Sequence, residues 1–290
     1  MIKIIDAFTF AGELDLLELR LNELDSVVDH FVIVEAAEPH AATGRRQPTY
    51  LAEPERWAEV ISEFGSKIVY NVLDRLEPPY TDRISGWKRE NLHQSSLWEP
   101  SLQLSTSPED WLLVSSVDEI PSANMVSQLH KEDFRKMFPD EVVYLGLDLF
   151  YHNVNNYFDK HRWIYSHMGT IKTYTKIGGT LPARANLDAP QPISRTAVYP
   201  AGWHLTSFMD LPRLREKLHT FAHSSDSFVL ELLKLNDKEL ASLILSHKNI
   251  FDRSQLVERA SDDPRLPKYL LDNPEKFAHF HEKWLREKYS

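Results

Sequence analysis

Leu14, Leu17, Leu21 and Leu24 recur at the spacing of one helix face, which predicts a helix over Glu13 to Leu24. The segment Ile2 to Phe8 before it predicts a strand, and His30 to Glu35 after it, rich in β-branched residues, a second. Glu53 to Phe64, opened by Pro54 in its first turn, reads as another helix, and Lys67 to Val72 as a third strand. Arg83 to Leu104, carrying Trp87, Leu92 and Trp98, predicts one long helix, and Trp111 to Ser115 a fourth strand. Strands alternating with helices imply a parallel sheet, and hence an α/β fold.

The pattern changes after residue 140. Val142 to Tyr151 and Thr170 to Tyr174 predict strands among aromatic-rich loops, Leu181 to Pro200 is proline-bearing and irregular, and Leu211 onward is mostly helical. No internal repeat or low-complexity linker separates these parts. The expected organisation is an α/β domain over 1–210 with a helical region, 211–290, packed on it.

With 290 residues and 42% hydrophobic content, the chain can bury an extensive core. Its 33 basic residues against 43 acidic ones, net −10, without a basic run, argue against nucleic acid as partner. It has no cysteine, which excludes disulfides, a thiolate nucleophile and thiolate-bound zinc. Asp6, Glu13 and Asp15 interrupt the apolar start before a signal segment can form, and no stretch approaches the ~20 apolar residues of a membrane span. A soluble cytoplasmic protein is the expectation.

Ligands of open parallel sheets bind outside the carboxyl ends of the strands. Here those ends are polar or acidic: Thr9 after the first strand, Glu35 after the second, Asn71 and Asp74 after the third, and Asp118-Glu119 after the fourth. Carboxylates so placed suit a divalent cation, Mn²⁺ or Mg²⁺, shared with a diphosphate. Ser116-Val117-Asp118-Glu119-Ile120-Pro121 is equally an ordinary helix start with Asp118 or Ser122 as cap.

Five blocks in order, Asp6 to Phe10 with Gly12 to Arg20, Asp29 to Ala36, Val117 to Pro121, Ala201 to His204 and Pro267 to Leu271, resemble the landmarks of glycosyltransferase family 17. The resemblance implies a GT-A-like, Rossmann-type, mostly parallel sheet, and metal-assisted, inverting transfer of N-acetylglucosamine from UDP-GlcNAc to a glycan hydroxyl. It gives Asp118 the place of the last acid of an Asp-x-Asp-type motif and makes His204 a second metal ligand. Ser116 stands where family members commonly carry the motif's first acid; a serine hydroxyl can ligate a metal weakly or bond a ribose.

For the nucleotide sugar, Glu35 suits a base or ribose contact and Lys88, Arg89 and Asn91 suit phosphates, with Ser116 and Trp203 beside them. Lys217, His219 and His223 are candidates to close over the diphosphate, and His219 and His223, four apart, also offer a zinc spacing, without the Glu that would complete a protease motif. An inverting displacement needs a general base, for which Glu119 and Asp148 are the candidates; a charge inside the apolar run Tyr144 to Phe150 is costly unless used or paired. Tyr151, Asn153 and Trp163 are the expected acceptor contacts. A metal-dependent nucleotidyltransferase or phosphohydrolase, and a non-catalytic sugar-nucleotide or glycan-binding protein, remain as alternatives. The oligomeric state is not legible.

Overall fold

The computed structural model describes residues 2–185 and 196–289. Ten strands form one sheet: β1 (Ile4–Phe10), β2 (His30–Ala36), β3 (Ile68–Leu73), β4 (Trp111–Ser116), β5 (Glu119–Pro121), β6 (Val143–Tyr151), β7 (Asn156–Trp163), β8 (His167–Thr170), β9 (Ala197–Thr206) and β10 (Val257–Glu258). The main order is β10-β7-β6-β8-β4-β1-β2-β3, with β9 paired to both β5 and β6. Strands β4, β1, β2 and β3 are mutually parallel, the Rossmann-like part of a mixed α/β fold. β8 runs antiparallel to β4, and from there the sheet is mixed.

Before the turn into the second half, helices α1 (Leu14–Leu24), α2 (Thr49–Ala52), α3 (Pro54–Ile61), α4 (Arg83–Ser95) and α5 (Trp98–Leu104) alternate with the strands. Short helices α6 (Ala123–Ser127), α7 (Glu132–Lys136), α8 (Ile171–Ile177) and α9 (Leu181–Ala185) follow. The C-terminal part holds α10 (Leu211–Thr220), α11 (Ser227–Leu232), α12 (Asp237–Leu245), α13 (Lys268–Asp272) and α14 (Glu282–Tyr289).

Successive residues of a strand face opposite sides, so a strand covered on both faces is apolar on both, except where a polar side chain is paired, as Asp6 is in β1. In β1, Ile4, Phe8 and Phe10 join Leu17 and Leu21 of α1 in the main core, while Ile5 and Ala7 join Val32, Leu112 and Tyr174 on the other face. The C-terminal helices build a third cluster of their own, with Leu211, Leu214 and Leu218 of α10 packed on Val229, Leu240 and Leu285.

Three expectations about the elements need correction. The long helix over Arg83 to Leu104 is two helices, broken at Ser96-Leu97. Pro100 has no N–H to donate and its ring would clash with the carbonyl of residue 96, so one continuous helix is disfavoured there. Thr170 to Tyr174 is not a strand: Thr170 ends β8 and caps α8, its hydroxyl accepting from the Thr173 N–H at 3.1 Å. A local cap decides the structure there. Leu181 to Pro200 is regular at both described ends, in α9 and the start of β9; the rest of that stretch lies outside the described residues.

Candidate functional site

A cleft of about 240 Å³ opens at the carboxyl ends of β1, β2 and β4. Thr9, Ala36, Ser116 and Asp118 form its floor, Glu90, His93 and Gln94 of α4 one wall, and Arg213, Glu216 and Lys217 of α10 the other. α10 is capped by Asp210, whose carboxylate accepts from the Arg213 N–H at 3.1 Å, and has Pro212 in its first turn. Because its leucines at 211, 214 and 218 point into the C-terminal core, Arg213 and Lys217 are turned to the cleft.

The loop carrying Asp118 is fixed from beneath by one guanidinium. Arg20 of α1 donates to both carboxylate oxygens of Asp6 (2.8 and 2.6 Å), to the carbonyls of Ser116 and Glu119 (2.8 Å each) and to the Ser115 hydroxyl (2.7 Å). All five donors of the fork are therefore used. The carbonyls at 116 and 119 bracket Asp118, so the core strand ends in acid over a bonded, buried cation.

Glu119 pairs with His204 across β5 and β9, which brings His204 back beside Asp118. The Asp118 Oδ2 lies 3.5 Å from His204 Nε2 and 3.7 Å from Lys217 Nζ. Burial pushes the Asp118 carboxyl up, but His204 and Lys217 outweigh it and hold the group far below the ordinary carboxylate range. Among the described residues His204 Nδ1 is buried without a hydrogen-bond partner, and the ring packs on Trp163 with centroids 4.4 Å apart. The backbone crossing depends on Gly202, at φ +147°, where a Cβ would sit 2.1 Å from the Ile120 carbonyl oxygen. Ser122 caps α6 by accepting from the Met125 N–H at 3.2 Å, so the helix-start reading holds for Ser122 and leaves Asp118 facing the cleft.

Glu119 is saturated. It accepts from the Trp163 indole (2.7 Å), the Ser166 hydroxyl (2.8 Å) and the Ser116 N–H (3.0 Å), and pairs with Arg184 at 3.3 Å through both oxygens. Burial raises its carboxyl, and Arg184 with His204 holds it below its usual value. Asp148 is placed elsewhere. It pairs in register with Trp203 and the next residue, Leu149, with His204, so Asp148 projects from the opposite face of β6 and β9 from His204. There it meets Arg162 at 3.4 Å and the Tyr157 hydroxyl at 3.1 Å.

The other expected contacts divide similarly. Ser116 lines the cleft, its hydroxyl 3.4 Å from that of Thr9 and accepting from Gln94 Nε2 at 3.2 Å. Glu35 is buried as an anchor for α2, accepting from the Thr49 N–H, the Thr49 hydroxyl and Tyr70. Arg89 is buried too, bonded to the carbonyls of Leu76, Pro78 and Pro39 and to Glu38, and shapes the loop over the cleft. Lys88 and Asn91 are exposed and do not line the cleft. Trp203 gives its indole N–H to the Arg265 carbonyl at 2.6 Å, within the main core. Trp163 reaches the site through Glu119 and His204, whereas Tyr151 sits among His152, Phe158 and Phe251 and the buried Asn153 accepts from the Asn155 N–H. His219 is exposed on α10 and His223 lies beyond the helix end, bonded to Asp226, so the two do not form a zinc pair.

Glu90 escaped the sequence reading. It lines the cleft, burial raises its carboxyl, and among the described residues it has no hydrogen-bond or ion-pair partner. The signal was available in the spacing: Gly86, Glu90, His93 and Gln94 lie on one helix face, and Lys88 and Asn91 do not. His93 Nε2 lies 2.9 Å from the Val34 carbonyl, to which it donates, and its Nδ1 lies 3.1 Å from His40 Nε2; with His93 neutral, that Nδ1 accepts from the His40 N–H. Burial carries His40 down to about 4 and His93 to about 3.

The family model of glycosyltransferase family 17 matches residues 1–282. The chain is also similar, at 28% identity over 127 residues or 43% of its length, to the β-1,4-mannosyl-glycoprotein 4-β-N-acetylglucosaminyltransferases of Rattus norvegicus and Homo sapiens. The match spans 22% of the rat protein and 23% of the human one.

Proposed function

Because the chain belongs to glycosyltransferase family 17, we propose that it moves N-acetylglucosamine from UDP-GlcNAc to a glycan hydroxyl, by a single inverting displacement, in the cleft between α4 and α10. The observation that carries this reading is the partly buried Asp118 carboxylate beside His204 Nε2 at 3.5 Å, just beyond the carboxyl end of a parallel strand. Arg46, Arg213 and Lys217 line the same cleft and supply positive charge for a diphosphate.

One carboxylate and one imidazole suit Mn²⁺ better than Mg²⁺, which demands an all-oxygen octahedron. Asp118 is held charged and faces His204 Nε2 at 3.5 Å, one oxygen and one nitrogen donor side by side, which supports a divalent-cation site. When bound, the ion would supply Lewis-acid stabilisation of the departing nucleotide. Lys217 and Arg213 neutralise the phosphates, Ser116, Thr9 and Gln94 offer hydroxyl and amide contacts to the ribose or sugar, and the neutral His40 and His93 border the cleft beside them. Glu90, unpaired among the described residues, is the group positioned to take the acceptor's proton as the sugar's C1 is attacked. Glu119 holds the loop and Trp163 in place.

Thermal unfolding with UDP or UDP-GlcNAc, in Mn²⁺ and in chelator, tests the reading. Stabilisation by both in Mn²⁺, with UDP release when a glycan acceptor is added, is expected. Equal stabilisation in chelator would remove the metal and leave the diphosphate to Lys217, Arg213 and Arg46. No stabilisation under either condition would overturn the nucleotide-sugar reading.

A further inference from the structure

Far from the cleft in sequence, four elements meet at the edge of the C-terminal region. His247 follows α12, Glu258 lies in β10, Glu282 opens α14, and Asn156 opens β7, directly paired with Glu258 in the sheet. One ligand atom from each of His247, Glu258 and Glu282 lies within 4.8 Å of the others.

The tautomer of His247 is set from outside this cluster. Its Nδ1 is 2.7 Å from the Asn156 Oδ1, and the Asn156 amide nitrogen is turned to the Ile244 carbonyl at 3.2 Å, so Nδ1 carries a proton. A ring nitrogen held by an outer hydrogen bond while the other faces anionic oxygens is the arrangement that orients metal-ligating histidines. Nε2 lies 3.7 Å from a Glu282 oxygen and 3.8 Å from a Glu258 oxygen. Both gaps exceed the roughly 3.2 Å limit of an N–H···O hydrogen bond. Two ligands about 2.1 Å from one tetrahedral ion are about 3.4 Å apart, so movements of a few tenths of an ångström would bring each glutamate to that separation from Nε2, and the two glutamates already lie within 4.8 Å of each other. The second oxygen of Glu282 is occupied by Arg286, whose Nε donates at 2.6 Å, which leaves the first for the cluster.

We propose that His247, Glu258 and Glu282 form a site for a divalent metal of the zinc class, tying α14 and the β7–β10 edge to the end of α12. One neutral imidazole and two carboxylates carry two negative charges, which a divalent ion balances, and mixed nitrogen and oxygen ligands suit zinc. A fourth position faces solvent beside the exposed Glu258. The site shares no residue with the cleft and does not depend on the reading given for it.

Calorimetric titration of Zn²⁺ into the chelator-stripped full chain tests it, with Asp118→Asn as background so that the cleft cannot contribute. One Zn²⁺ per chain is expected, with a rise in unfolding temperature. Glu258→Gln added to that background should weaken binding about tenfold or more; because Glu258 is exposed, this variant should fold. His247→Gln should do the same. Absence of saturable binding, or binding unchanged in both added variants, would overturn the site.

Discussion

Arg20 and Asp6 form a two-pronged ion pair, 2.6 and 2.8 Å between donors and acceptors, with neither side chain exposed to solvent. The same guanidinium holds the carbonyls on either side of Asp118. A buried pair of this kind contributes little net stability over an apolar substitute, but removing one partner strands the other. Arg20→Ala should therefore cost about 3–5 kcal/mol in urea-induced unfolding, and nucleotide binding should be lost with it. A midpoint equal to the parent's would show that the loop is held by something else.

Gly202 makes possible the crossing of β9 over β5 that delivers His204. At φ +147° and 2.1 Å from a backbone oxygen, an added Cβ has no room, and the contact is backbone rather than a yielding side chain. Gly202→Ala should destabilise the fold by about 2 kcal/mol or more. Activity should fall further than stability alone explains, because the Asp118–His204 spacing changes with it. Denaturant unfolding and UDP release measured on the folded fraction separate the two effects.

Much of the first half was legible because each of its signals is local. The leucine spacing of α1 and the β-branched β2 need no partner to be recognised. What failed was decided by non-local or competing terms. Asp148 stood out as a charge in an apolar run, yet only the register of β6 on β9 reveals that it faces away from His204. Glu119 is adjacent to Asp118 in the chain, but its donors come from residues 163, 166 and 184, which no spacing rule connects. Arg89 and Glu35 carry the right charges, and neighbouring groups consume them.

Four histidines are held neutral by burial: His40, carried down to about 4, and His93, His152 and His167, each to about 3. In the unfolded chain each takes up a proton near pH 6.5. Between these values the unfolded state binds more protons, so the stabilisation is complete above about pH 6.5 and is lost as pH falls towards 4 and then 3. The slope approaches about 1.4 kcal/mol per pH unit for each histidine. Unfolding midpoints in urea should drop clearly between pH 7.5 and 5.5, and His93→Gln should reduce that slope by about one proton. Equal midpoints at the two pH values would mean that these rings are accessible to protons in the native state.

Glu119 and Glu90 differ in what surrounds them, and kinetics should tell them apart. Glu119 is enclosed by four partners, and its charge offsets that of Arg184; Glu119→Gln removes that balance and turns an amide towards existing donors. Lower stability and weaker UDP binding should appear together, with turnover reduced as a consequence. Glu90 has a raised carboxyl and no such shell among the described residues, so Glu90→Gln should fold as the parent does and bind UDP within about twofold of it, while turnover falls by about 10²–10⁴, the range of a lost general base. A group acting only as the reaction proceeds leaves ground-state binding unchanged, whereas a group that shapes the cleft does not. If Glu90→Gln retains turnover while Glu119→Gln alone abolishes it with UDP binding intact, the saturated carboxylate is the base after all, and its bonds to Trp163 and Ser166 must open during the reaction.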